Sequence, residues 1–235
     1  MSVLWYKVWF DLWHHKGRTF LAILSVAAGV FAVGAILGLV DQLLSGMDEA
    51  HRAVLPSHVN VILRTYVPAE VAEGLQEIDG VADVEAVNQI SVRYKARPED
   101  EWDLGTLVMR PDYDDQTYDL VVLREGEWPQ EPDIGVERLS SQYFDLDLGD
   151  QVILEIDGEE RSFAINGKIR HPFVQPPLFG GQAHFFTDAA GLAEFGIPEG
   201  LYGQLLVRVE PYSAERARDV AAEIRSSLAN QGVGV

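Results

Sequence analysis

The side chains that most often perform chemistry are few or poorly spaced in this sequence. There is no cysteine, which excludes disulfides, thiolate metal sites and cysteine nucleophiles. No GxxxxGK(S/T), HExxH or GxSxG segment occurs, so the phosphate loop, the zinc-protease motif and the hydrolase nucleophile turn are all missing. The six histidines show no metal-ligand spacing apart from the adjacent pair His14 and His15, which we interpret as interfacial rather than ligating. We therefore expect no catalytic residue, metal site or cofactor, and a protein that is not an enzyme.

Two acidic clusters remain as candidate cation sites. The segments DYDD at 112–115 and DLDLGD at 145–150 carry carboxylates that calcium accepts as ligands. Neither has the DxDxDG start and the distant glutamate of an EF-hand loop. We interpret both as solvated surface, and the second as a turn in which Asp and Gly serve the backbone.

The net charge excludes one class of partner. The 235 residues carry a formal charge of -19, and an acidic surface of this kind repels phosphate backbones. We expect no nucleic acid as a partner. The charge is uneven, because the first forty residues hold Lys7, Lys16 and Arg18 against Asp11 alone.

An uncharged run follows these basic residues. Residues 19–40 read TFLAILSVAAGVFAVGAILGLV and would span about 33 Å as a helix, enough to cross the hydrocarbon core of a bilayer. A buried helix of a soluble protein rarely lacks a polar face for six turns. A signal peptide is the other alternative, but its apolar region is shorter and ends at a small-residue cleavage site. We expect an uncleaved transmembrane helix over 19–40.

Residues 1–18 predict an amphipathic helix on the membrane surface. Trp5, Trp9 and Trp13 are four residues apart and fall on one apolar stripe of a helix. Indole rings favour the headgroup region, as do the basic side chains of Lys16 and Arg18. Packing of the stripe on a neighbouring helix of the same protein is an alternative, and both can hold together.

The flanks of the span predict its orientation. Basic residues precede it, whereas Asp41, Asp48 and Glu49 follow it, so the positive-inside rule leaves the N-terminus in the cytoplasm and the main domain outside the cell membrane. Within the span, Gly34 and Gly38 form a GxxxG pattern that allows close helix packing. The span is therefore expected to have helical partners.

The remainder predicts an α+β domain that is split in sequence. Residues 41–55 predict a helical stalk. Residues 56–99 predict a β-α-β unit, and 200–235 return to it with a strand, a helix capped by Ser213, and the start of a strand at VGV. Residues 100–199 predict an inserted β-rich subdomain with a hairpin turn at Asp157-Gly158.

Four stretches carry a family resemblance through their order. They are DLWHHKGRTFLAILSVAAGVFAVGAILGL, VAEGLQEIDGVADVEAV, REGEWPQEPDIGVERLSSQYFDLDLGDQVILEIDGEERSFAINGKI and GLYGQLLVRVEPYSAERARDVAAEIRSSL. In this order they resemble FtsX-like ABC transporter permeases with a MacB-type periplasmic core domain. The resemblance implies a porter-like α+β fold with an inserted subdomain. It also implies an ABC ATP-binding subunit and a second permease copy or homologous permease half as partners, with the cargo unknown.

The resemblance further implies mechanotransmission, in which ATP hydrolysis in the partner moves the extracytoplasmic domain through the membrane helix. This sequence lacks the further apolar spans of the family, so we interpret it as the N-terminal part of a longer chain. Two other functions stay open. They are a single-pass adhesion, sensor or scaffold protein without a transport role, and a secreted enzyme behind a signal peptide.

Overall fold

The computed structural model describes residues 6, 9, 10, 13, 14 and 16–235. The chain divides into two compact units, Met1–Ala53 and Val54–Val235. In the first unit, the helix α1 runs over Lys16–Ala53. The elements of the second unit, in chain order, are β1 Val59–Pro68, α2 Ala69–Gly74, β2 Val81–Lys95, β3 Asp103–Met109, β4 Val122–Gly126, β5 Ile134–Glu137, α3 Arg138–Phe144, β6 Gln151–Ile156, β7 Glu159–Arg170, β8 Ala183–Thr187, α4 Ala189–Ala193, β9 Leu201–Val209 and α5 Ala214–Asn230.

Three strands form the part of the second unit that carries α2 and α5. β9 lies between β1 and β2 and is antiparallel to both. The two strands of the predicted β-α-β unit are therefore separated by a strand that comes more than a hundred residues later. This is the split β-α-β arrangement that the sequence predicts.

The helix α5 packs on this sheet because its apolar residues recur at helical spacing. Ala217, Val220, Ile224 and Leu228 are all buried. They join β1 and β9 residues such as Val61 in one apolar core. The hydroxyl of Ser213 accepts a hydrogen bond from the N–H of Arg216 at 3.0 Å, which confirms the predicted N-cap.

Six strands close into a barrel, and β2 belongs both to this barrel and to the three-stranded sheet. β2 pairs with β3, β3 with β8, β8 with β5, β5 with β7, β7 with β6, and β6 again with β2. The ring is mixed, because the β3–β8 and β5–β7 pairs are parallel and the others antiparallel. Its interior contains Phe185, Ile134 and Leu154, each fully buried. β4 extends the barrel wall at β7.

The hairpin between β6 and β7 has the predicted turn. Asp157 and Gly158 have φ angles of 52° and 89°, and both lie between the paired residues Ile156 and Glu159. Two successive positive φ angles define the tight turn that matches the twist of a hairpin. An Asp-Gly pair adopts it at low cost, so the local sequence determines this connection.

The structure confirms the predicted α+β class with a long apolar N-terminal helix. The predicted division into 56–99 with 200–235, and 100–199, stays a proposal. β2 is shared by both parts, since its first half pairs with β9 and its second half with β3 and β6. VGV at 233–235 is not a strand, although the carbonyl of Gly234 accepts a hydrogen bond from the N–H of Arg64 at 2.9 Å.

Candidate functional site

The helix α1 is long and apolar enough to cross a membrane by length and composition. None of its residues is buried in the structure. Large apolar side chains such as Val30 and Phe31 are 68% and 76% exposed. Soluble domains do not leave a continuous apolar surface of this length in water. A lipid environment removes this cost for the uncharged residues 19–40.

The predicted interfacial residues lie at and before the start of α1. Trp5 lies outside the described residues, whereas Trp9 and Trp13 are 65% and 59% exposed. The Nζ atom of Lys16 lies 4.9 Å from the ring centroid of Trp13, within range of a cation–π interaction, and Arg18 is exposed. These positions are compatible with a headgroup location, which stays a prediction.

The predicted packing residues Gly34 and Gly38 lie on an open part of α1. A Cβ atom added at either glycine would contact nothing within 4 Å. Neither glycine is therefore required by packing against the residues that the structure describes. Their role in packing against another helix stays a prediction.

Residues 54–57, which follow α1, are hydrogen-bonded to the loop between β3 and β4. The carbonyl oxygens of Val54 and Leu55 accept hydrogen bonds from the backbone N–H groups of Leu120 and Asp119, at 2.9 and 3.1 Å. Ser57 donates its N–H and its hydroxyl to the carboxylate of Asp119, at 2.7 and 2.8 Å. Four hydrogen bonds therefore hold residues 54–57 to this loop.

A buried arginine holds the same loop from inside. Arg110 is 2% exposed and donates to the carbonyl oxygens of Tyr118 and Asp119, at 2.8 and 3.0 Å. It also forms an ion pair with Glu85 of β2 at 3.1 Å. Glu85 accepts a further hydrogen bond from the N–H of Tyr118 at 2.7 Å. We call the set Ser57, Glu85, Arg110, Tyr118 and Asp119 the Arg110 clasp.

Burial affects the one phenol of the clasp. Burial raises the pKa of Tyr118 to about 12, and the nearby Asp83, which accepts its hydroxyl at 3.1 Å, adds to the rise. The phenol is therefore neutral at physiological pH and acts as a hydrogen-bond donor. None of the clasp residues was among the predicted site residues. The available signal was an arginine directly after the apolar strand TLVM.

The acidic clusters serve backbone geometry in the structure. One carboxylate oxygen of Asp112 accepts from the N–H groups of Asp114 and Asp115, at 2.8 and 3.3 Å. Asp150 accepts from the N–H of Asp147 at 2.7 Å, as in a side-chain-stabilised turn. Within the described residues, no group of three or more His, Asp or Glu side chains could hold a metal ion.

Two histidines at the ends of barrel strands are held neutral. Burial lowers the pKa of His171 to about 3, and the nearby Arg110 and His184 lower it further. Its Nδ1 atom accepts from the N–H of Phe173 at 3.2 Å, which requires the neutral ring. Burial also lowers the pKa of His184.

The sequence comparison decides the family. A sequence model of the MacB-like periplasmic core domain matches residues 19–227, which is nearly the whole chain. The chain belongs to this family. The match confirms the resemblance on which the sequence analysis relied. No curated protein shows significant sequence similarity to the chain.

Three solved structures are similar to this MacB-like chain. The extracellular domain of the noncanonical ABC-type transporter YknZ from Gram-positive bacteria is 16% identical, with a TM-score of 0.45, over 74% of this chain and 95% of that one. The periplasmic region of MacB from Actinobacillus actinomycetemcomitans is 11% identical, with a TM-score of 0.42, over 69% and 75%. A domain of a putative permease from Porphyromonas gingivalis is 17% identical, with a TM-score of 0.38, over 74% and 86%.

Family membership and α1 together define the general character of the protein. It is a membrane-anchored protein with an extracytoplasmic MacB-like domain, and a permease-type role is supported. The family is one of ABC transporter permease components.

Proposed function

We propose that the chain is the membrane subunit of an ABC transporter or mechanotransmission complex. In this proposal, ATP hydrolysis in a partner subunit moves the extracytoplasmic domain. One observation carries it: an apolar helix without a buried residue continues directly into a MacB-like periplasmic core domain. The sequence contains no phosphate-binding motif, so the partner supplies the nucleotide chemistry.

The charges around α1 support a cytoplasmic N-terminus. Lys16 and Arg18 lie at the start of the helix, and Asp41, Asp48 and Glu49 lie beyond its apolar part. Cytoplasmic flanks of membrane helices carry an excess of Lys and Arg. This orientation leaves the start of the helix on the side of the membrane where ATP is available.

The glycine face of α1 supports a helical partner in the membrane. An open surface at Gly34 and Gly38 allows a second helix to approach the backbone closely. We propose that this partner is a second permease copy or a homologous permease half. The cargo is not specified by any described side chain.

Copurification tests the proposal. The chain carries an affinity tag at its native locus and is extracted from membranes of its own host with a mild detergent. We expect an ABC ATP-binding subunit in the eluate, together with ATP hydrolysis that a tagged, unrelated single-pass membrane protein does not give. Recovery of the chain without such a subunit, or with extracytoplasmic proteins alone, would instead support an adhesion, sensor or scaffold role.

A further inference from the structure

Resting on the proposed function, we infer that the Arg110 clasp is the point where movement of the membrane helix enters the extracytoplasmic domain. The residues that follow α1 are not a flexible linker. They are bonded to the β3–β4 loop within four residues of the end of the helix. The side chains of the clasp thus act as positioning residues for the coupling.

The first step of the coupling is the attachment of residues 54–57. Two of its hydrogen bonds join backbone to backbone, and two join Ser57 to one carboxylate. Asp119 has a φ angle of 51°, in the left-handed region that aspartate tolerates better than most residues. In this backbone conformation, the side chain of Asp119 accepts hydrogen bonds from Ser57 while its backbone N–H donates to the carbonyl oxygen of Leu55.

The second step is the connection from the loop to the strands. Arg110 follows Met109, the last residue of β3, and Glu85 lies in β2. Glu85 is paired with Leu206 of β9 in the three-stranded sheet, whereas β3 is part of the barrel wall. A pull on Ser57 therefore reaches both parts of the domain through one buried ion pair.

The third step is the resistance of this connection to being pulled apart, which depends on how well the ion pair is shielded from water. The ion pair is almost excluded from water, with side-chain exposures of 2% for Arg110 and 10% for Glu85. Water has little access to such a site. The hydrogen bonds that join Arg110 and Glu85 to the loop are therefore not readily replaced by hydrogen bonds to water. Buried charge pairs also favour one geometry over others in some proteins, and we infer that role here.

Single-molecule force spectroscopy on the full chain in lipid nanodiscs tests the inference. The absence of native cysteine allows two engineered handles, Ala50→Cys near the end of α1 and Glu159→Cys at the β6–β7 hairpin. We expect the clasped protein to extend in a single event when the domain unfolds. Asp119→Gly keeps the left-handed backbone but removes the carboxylate, so an earlier extension of up to roughly 14 Å should appear at lower force as four residues peel away.

Two further variants separate coupling from simple stability. Asp119→Asn keeps both side-chain contacts, because its amide oxygen accepts from the N–H of Ser57 and its amide N–H can donate to the hydroxyl oxygen of Ser57. It should therefore restore most of the single-event behaviour, whereas Ser57→Ala loses the hydroxyl contact. If Asp119→Gly does not fold, Ser57→Ala, which leaves the loop and Arg110 unchanged, should still show the early extension. A purely structural role would lower the force of the single event without adding an earlier one.

The inference is overturned if the unmodified clasp peels before the domain unfolds, or if neither Asp119→Gly nor Ser57→Ala adds an early event. The measurement uses the chain without an ATPase. Force traces that contradict the inference would therefore leave the copurification result unchanged. A copurification without an ATP-binding subunit would contradict the proposed function and leave the force traces unchanged.

Discussion

Ser57 donates both its backbone N–H and its hydroxyl to the carboxylate of Asp119, although the two residues are 62 positions apart in the sequence. This contact lies directly after the membrane helix and directly beside the buried Arg110. Both residues belong to the second unit, so the contact holds the first residues of that unit to the loop between β3 and β4.

Loss of Arg110 should destabilise the domain strongly. Arg110→Met leaves Glu85 buried without its cation and two loop carbonyl oxygens without their donor, which should lower the free energy of unfolding by about 3–5 kcal/mol. Urea unfolding in detergent micelles, followed by tryptophan fluorescence, measures the change.

Arg161→Met is the matched control for Arg110→Met. Arg161 also pairs with a glutamate, Glu194, but both side chains of that pair are about half exposed, at 46% and 51%. Its loss should cost less than about 1 kcal/mol. Equal effects of the two substitutions would contradict the special position of Arg110.

Bulky residues on the glycine face should weaken helix association. A Cβ atom at either position meets nothing within 4 Å, and both glycines lie in α1 and not in the domain, so Gly34→Ile and Gly38→Ile should leave the fold of the domain unchanged. We expect the amount of partner permease recovered by copurification to fall severalfold. Gly29→Ile introduces the same side chain on another side of the helix, about 140° from Gly34 and about 180° from Gly38, and should have little effect. The glycine face has no such role if all three variants behave alike.

Acidification should destabilise the domain through His171. The folded pKa is lowered to about 3, whereas the ring in the unfolded chain titrates at 6.5. The unfolded chain therefore takes up a proton that the folded chain refuses, and the stability present above pH 6.5 is lost as the pH falls toward 3. Between pH 7 and pH 5 this single group should remove about 2 kcal/mol.

His171→Asn isolates this contribution. Asparagine keeps an acceptor for the N–H of Phe173 but does not titrate. The variant should lose less stability than the parent between pH 7 and pH 5, as measured by urea unfolding at both pH values. Parallel losses would show that His171 does not remain neutral in the folded protein.

The hairpin turn should require glycine at position 158 because of its backbone conformation and not because of limited space. Gly158 has a φ angle of 89°, and a Cβ atom there would contact nothing within 4 Å. Gly158→Ala should therefore cost about 1–2 kcal/mol through backbone strain. Gly74 also has open space but a helical φ of -62°, so Gly74→Ala should stabilise the domain by about 0.5–1 kcal/mol. Thermal unfolding compares the two, and effects of the same sign would contradict this explanation.

The sequence was most informative where structure is determined by near neighbours. The cap at Ser213, the turn at Asp157-Gly158 and the uncharged run of α1 each depend on residues within a few positions of one another. The split β-α-β unit was also predictable, because its strands and helices alternate clearly in hydrophobicity.

Barrel closure and the clasp depend on contacts between distant segments. The parallel β3–β8 pair joins residues such as Leu107 and Phe185, which no local pattern relates. Arg110 forms an ion pair with Glu85, which is 25 positions away in the sequence. Because the sequence has 37 acidic residues, it does not indicate which of them pairs with Arg110. These features follow from strand order, which single-sequence periodicity does not encode.

Cysteine labelling in intact cells tests the central claim, that α1 crosses the membrane and leaves the acidic domain outside. Ser2→Cys and Glu223→Cys place single thiols before the span and on the exposed surface of α5. With the outer envelope permeabilised where the host has one, a membrane-impermeant maleimide should label the thiol at position 223 in intact cells, and the thiol at position 2 only after lysis. Protection of position 223 until lysis, or release of the chain into the soluble fraction with its first forty residues intact, would contradict the account.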